Sequence, residues 1–125
     1  MRAVTGARID YNNRFFSADP GGSPETAAAG ESPVGHYHQL GDLVWAEFRG
    51  GKVLTGRLVG TCGPDGALRL AYCQVLADGG VVAGECTSKP ERLPDGRLRL
   101  REEWRRSDGS SGVSHIEEVR GRTGG

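Results

Sequence analysis

The chain of 125 residues predicts an all-β fold, an up-and-down antiparallel meander that closes into a barrel of about eight strands. Short runs of alternating polarity recur from end to end, each cut off by a turn dipeptide. The turn dipeptides are mostly Asp-Gly and Gly-Gly, which supply the positive φ angles that tight hairpins need. No segment sustains an apolar period of 3.6 residues behind a capping residue, so no helix beyond a turn or two is expected. Hairpins between nearest neighbours favour a meander over its rival, a sandwich, and closure removes the two exposed edges.

In order, Arg8–Ser17 reads as the first strand. Asp19–Ser32 (DPGGSPETAAAGES) is rich in Gly, Pro, Ala and Ser and reads as a flexible loop. Val34–Gln39 runs to a turn at Leu40-Gly41, and Leu43–Phe48 to one at Gly50-Gly51. Val53–Thr61 runs to Pro64-Asp65-Gly66, and Ala67–Leu76 to Asp78-Gly79. Val81–Ser88 leads by a longer link to Pro94-Asp95-Gly96; Arg97–Arg105 reaches Asp108-Gly109, and Val113–Arg120 is the last strand. At this length the expectation is a single domain over residues 1–125.

Sixteen basic and sixteen acidic residues cancel, so no global field draws the chain to nucleic acid or to a membrane. The one basic cluster, Arg97–Arg106 (RLRLREEWRR), alternates its arginines on a single strand face, as a solvated face does, and is interrupted by Glu102 and Glu103. No stretch approaches the roughly 20 apolar residues of a membrane-spanning helix. The first residues, MRAVTGARIDYNN, lack the apolar core of a secretory signal, so a cytoplasmic location is expected. Cys62, Cys73 and Cys86 are odd in number and show no CxxC spacing, which reads as free thiols.

Strand alternation sorts the side chains into faces. On Arg97–Arg105 the row Leu98, Leu100, Glu102 and Trp104 must face inward, with the arginines outside. On the strand ending at Leu76 the inner row is Leu68, Leu70, Tyr72 and Gln74. A two-residue turn at Gly50-Gly51 sets Trp45 opposite Gly56, Leu43 opposite Leu58 and Glu47 opposite Leu54. The indole of Trp45 would then fill the space that the glycine leaves. Extension through Leu40-Gly41 sets His36 opposite Trp45 and His38 opposite Leu43, which turns both histidines inward. An inner wall with this much aromatic and polar content suits a ligand cavity better than a solid core.

The candidate catalytic residues are Glu102 and His36, and the candidate ligand-binding residues are Trp45, Tyr72, Gln74, Trp104, His38 and Glu47. Each has a plainer reading. Glu102 beside an indole would have a raised pKa suited to acid–base work, or would tie strands together, for instance through His115. His36 and His38, at i and i+2, share a strand face and could hold a metal, with Glu47 or Glu102 as the first further ligand to test. The absence of a third ligand at a telling distance favours a polar network, and no metal is expected. Tyr72 and Gln74 either orient a ligand or form a hydrogen-bonded layer at the mouth. Trp45 and Trp104 are core residues first and stacking surfaces second.

Several motifs carry a resemblance: His36–Gln39, Gly41-Asp42, Val44–Ala46, Phe48, Gly50-Gly51, Gly56–Gly60, Tyr72–Gln74, Gly84–Cys86, Leu93–Trp104 and Glu117–Val119. Together they resemble a family of small bacterial proteins with an HYHQ-x-GD-x-VWA block and an LPDGRLRL-x-E-x-W strand. The resemblance covers about two-thirds of the chain and implies a calycin-like barrel of the broad group that includes lipocalins and avidins. Such proteins often carry the label N-acetylglutamate synthase. An acetyl-CoA-dependent transferase of the usual kind needs a Gly-rich turn opening a helix to cradle pyrophosphate. This chain offers neither, so the resemblance implies a fold and no activity.

Three functions stay open. The first is a binding barrel that holds a small, partly apolar metabolite. The second is a cofactor-independent enzyme of bacterial specialised metabolism, a cyclase, isomerase or dehydratase using Glu102 or a histidine as acid or base. The third is a solid-core interaction protein. No cofactor is expected. The expected partners are a small hydrophobic or amphipathic metabolite and, at most, a second copy of the chain, with neither nucleic acid nor membrane.

Overall fold

The computed structural model describes residues 9–18 and 32–119. Its eight strands are β1 (Arg14–Ala18), β2 (Val34–Leu40), β3 (Leu43–Gly50), β4 (Val53–Cys62), β5 (Leu68–Leu76), β6 (Val81–Arg92), β7 (Leu98–Arg106) and β8 (Ser111–Glu118). They form a closed barrel in which each strand pairs antiparallel with the next and β1 pairs with β8. No described helix is long and apolar enough to cross a membrane.

The hairpins form where the Asp-Gly dipeptides stand, by a repeated local device. Asp65, Asp78, Asp95 and Asp108 each accept, through Oδ1, the backbone N–H two residues on, at 2.8–3.1 Å. The glycine after each aspartate takes positive φ, between 86° and 93°. The side chain thus mimics a backbone turn while the glycine supplies the left-handed step.

The strands match the sequence expectation closely except at the front and in β6, which runs on through the expected link after Ser88 as far as Arg92, paired with β7. β1 starts at Arg14 and not at Arg8, because Asn13 (φ 62°) turns the chain and frees Tyr11 for another use. Of the expected flexible loop, only Ser32 lies within the described residues.

One bulge corrects the expected faces. The β3–β4 turn is Gly51-Lys52, with Gly50 paired to Val53, and the register shifts so that Phe48 pairs with Gly56 and Trp45 with Val59. The extra residue lies on β4, where Leu54 and Thr55 are both exposed between buried Val53 and Gly56. A shift by an odd number of residues moves a strand's side chains to the other face. On β2–β3 the turn is Gly41-Asp42, an even shift that pairs His38 with Trp45 and His36 with Glu47. Both strands therefore turn over together. Val44, Ala46, Phe48 and Tyr37 face inward, and His36, His38, Trp45 and Glu47 stand on the outer wall. Gly56 is inward as expected, but the ring that fills its space belongs to Phe48.

The barrel has two unlike ends. At the end that holds the β2–β3, β4–β5 and β6–β7 turns, the interior is solid with Tyr11, Val44, Leu68, Leu98 and Leu100, all buried. Tyr11 plugs this end. Its hydroxyl donates to Gly66 O at 2.6 Å, and its backbone N–H to Gln39 Oε1 at 2.8 Å. Arg14 and Glu118 close the β1–β8 seam beside it with a two-pronged ion pair at 2.9 and 3.0 Å. Outside, Arg97, Arg99 and Arg101 are engaged by Asp95, Glu117 and Glu103, as expected of a solvated face.

Candidate ligand cavity

Toward the opposite end the barrel is hollow. A cavity of about 140 Å³ is floored by Phe16, Tyr37, Leu70 and Ile116 and rimmed by Ala18, Pro33, Val53, Gln74 and Arg106. The solid-core expectation does not hold for this half of the barrel.

Local chemistry explains why the space is open. Three aromatic side chains on the inner wall each stand directly across the ladder from a glycine: Phe48 from Gly56, Tyr72 from Gly84 and Trp104 from Gly112. A Cβ at Gly112 would come within 2.6 Å of Trp104 Cζ2, and one at Gly84 within 3.0 Å of the Tyr72 hydroxyl. One at Gly56 would collide with the Phe48 ring. The Phe48 and Trp104 rings lie over the missing side chains and along the wall, which leaves the barrel axis free, while at Gly84 the Arg105 carbonyl is the nearer obstacle.

The polar groups are few and placed along one side. On β7, Glu102, Trp104 and Arg106 succeed one another from the interior to the mouth. Ser88 Oγ donates to Glu102 Oε2 at 3.3 Å, and the Cys86 thiol makes a longer contact with it at 3.8 Å. No cation partners the carboxyl among these contacts, and Glu102 lines the cavity. Burial pushes its pKa up to about 7, against the smaller opposing effect of the Ser88 and Cys86 donors. Burial, reinforced by the nearby Glu102 carboxyl, pushes the Cys86 thiol up to about 12, and burial raises the Tyr37 phenol well above its ordinary value.

Trp104 Nε1 is one of two buried polar side-chain atoms without a hydrogen-bond partner among the described residues. The other, Arg99 Nε, lies outside, 3.7 Å from Glu117. At the mouth the Arg106 guanidinium sits 4.9 Å from the centroid of the Trp104 ring, and its Nε donates to the Tyr72 hydroxyl at 3.2 Å. Gln74 is buried beside them on β5.

Of the residues expected at a site, Glu102, Tyr72, Gln74 and Trp104 line this cavity. His36, His38, Trp45 and Glu47 do not, because the β4 bulge turned β2 and β3 over. The expected Glu102–His115 tie is also replaced: Glu102 pairs across β8 with Ser114, and His115 stands opposite Arg101. Sequence reasoning missed Phe48, Tyr37, Cys86 and Arg106. Arg106 was within reach, since it continues the inner row of Glu102 and Trp104 by one more step of two.

A model of the avidin-like protein family matches residues 9–119. The chain belongs to the avidin-like family. No curated protein and no solved structure gives a significant match. The matched span runs from just before the Tyr11 plug of this avidin-like barrel to the end of β8, and so takes in both the solid end and the cavity.

Proposed function

We propose that this avidin-like barrel binds one small, largely apolar molecule through an acceptor oxygen. The indole of Trp104, which lines the apolar cavity and whose buried N–H has no hydrogen-bond partner among the described residues, carries this reading. A buried donor left unpaired costs on the order of 1–3 kcal/mol, and a ligand carbonyl or carboxylate oxygen would recover that. Arg106 at the mouth favours the negative end of such a ligand, and protonated Glu102 can donate a second hydrogen bond deeper in. The volume of about 140 Å³ is close to the roughly 150 Å³ known to accept a single benzene ring. Membership of the avidin-like family supports the same reading.

The test uses the two tryptophans. In a Trp45→Phe variant, Trp104 is the sole indole fluorophore, and its emission reports the cavity alone. Single-ring or short aliphatic compounds with a carbonyl or carboxylate should shift or quench it saturably, and native mass spectrometry of the purified protein should reveal a retained small molecule. If no compound perturbs Trp104 and the protein carries nothing, the reading fails.

One observation favours a second reading. A carboxyl held near pKa 7 inside a cavity exists in both protonation states at neutral pH, as a general acid or base requires. Glu102 would then shuttle a proton in a cofactor-independent cyclisation, isomerisation or dehydration. Turnover that survives Glu102→Gln would remove this reading and leave binding.

A further inference from the structure

The outer wall of β2 and β3 carries a group of side chains that the cavity does not use. His36 and His38 project from one face of β2, with ring centroids 4.4 Å apart. Glu47 stands across from His36 on β3, and its Oε1 lies 2.8 Å from His38 Nε2. One ligating atom from each of the three lies within 4.8 Å of the others. The bulge that removed these residues from the interior therefore gathers them outside.

Their surroundings hold them in place. The Phe15 ring stacks on His36 at 4.2 Å, and the Trp45 ring on His38 at 5.4 Å. Asn13 Oδ1 lies 2.9 Å from His36 Nε2. β4 places Arg57 opposite Glu47, but its guanidinium donates to Thr55 Oγ1 and Gly56 O, each at 2.9 Å. That leaves the Glu47 carboxylate turned toward the histidines.

We propose that His36, His38 and Glu47 form a site for one divalent transition-metal ion of the zinc class, which pins β2 to β3 on the outside of the barrel. Two imidazoles and one carboxylate are a donor set that zinc accepts, with bonds of about 2.0–2.2 Å. Around a tetrahedral ion the donors stand roughly 3.3 Å apart, so the three must draw in slightly. The side chains of His38 and Glu47 are 25% and 41% exposed and can turn without disturbing the core. The Asn13 amide oxygen or a water takes the fourth position.

The experiment is a calorimetric titration of metal-free protein with ZnCl2 in a Cys73→Ser background, which removes the exposed thiol. One ion per chain is expected. His36→Ala or His38→Ala should each weaken binding by roughly tenfold or more, since loss of even an outer-sphere partner often costs that much, and the double variant should abolish it. As a second readout, Cu2+ should quench Trp45 in a Trp104→Phe variant, where Trp45 is the sole indole. This readout decides the matter if the double histidine variant does not fold. A parent protein that binds no zinc, zinc binding unchanged in a folded double variant, or absence of saturable Trp45 quenching overturns the proposal.

Discussion

Ser88 donates its fully buried hydroxyl across the β6–β7 ladder to Glu102 Oε2 at 3.3 Å. That neutral donor, with the Cys86 thiol, is what the carboxyl has in place of a cation. Neither compensates for its removal from water, and the proton is retained to about pH 7.

Stability should therefore fall as pH rises. The folded state keeps the Glu102 proton from its ordinary value of 4.5 up to about 7, whereas the unfolded chain has lost it. The contribution is complete below pH 4.5 and is lost progressively up to about 7, a change of about 3 kcal/mol. Glu102→Gln, which cannot ionise, should remove this slope. Urea unfolding of both proteins at acid and mildly alkaline pH measures it; parallel pH profiles would contradict the assignment.

Trp104→Phe should separate binding from stability. It deletes the unpartnered N–H and retains an aromatic ring over Gly112. Stability of the ligand-free protein should change by no more than about 1 kcal/mol, while affinity for a carbonyl-bearing ligand should drop roughly tenfold. Chemical unfolding and fluorescence titration of a fluorescently tagged ligand give the two numbers.

Two glycine substitutions should differ in kind. Gly112→Ala meets the Trp104 ring, which can swing into the cavity, so a cost of about 1–3 kcal/mol with loss of ligand binding is expected. Gly60→Ala collides with the backbone carbonyl of Arg69, which cannot move without breaking the β4–β5 ladder. It should destabilise the fold more than Gly112→Ala does, as thermal unfolding will show.

At the solid end, Tyr11→Phe removes only the hydroxyl bond to Gly66 O and should cost about 1 kcal/mol. Tyr11→Ala removes the plug and should cost about 4 kcal/mol. Equal losses in urea unfolding would mean that the ring contributes little.

The thiols should react in a fixed order. Cys73 is exposed, Cys62 is buried, and the Cys86 thiol is pushed up to about 12. A thiol reagent at neutral pH should modify one cysteine per chain rapidly, and Cys73→Ser should eliminate that phase.

The site was half legible in the sequence. Rows read from one strand's own alternation were correct: Leu98, Leu100, Glu102 and Trp104 on β7, and Leu68 to Gln74 on β5. Faces carried across a turn were not. On β3 the turn placed Leu43, Trp45 and Glu47 inward, whereas the row that faces the interior, Val44, Ala46 and Phe48, is wholly apolar. Glu47 was the available signal against the expected row.

The barrel itself followed from the amino-acid order alone, because alternation and Asp-Gly turns act over a few residues and each hairpin carries its own instructions. Which face of β2 and β3 turned inward depended on one extra residue in β4, and the sequence does not mark a bulge. Only the closed sheet decides it, since every strand must present its apolar row to the same interior at once. That decision removed Trp45 and the two histidines from the cavity and placed Phe48 over Gly56. It also left His36, His38 and Glu47 together on the outer wall.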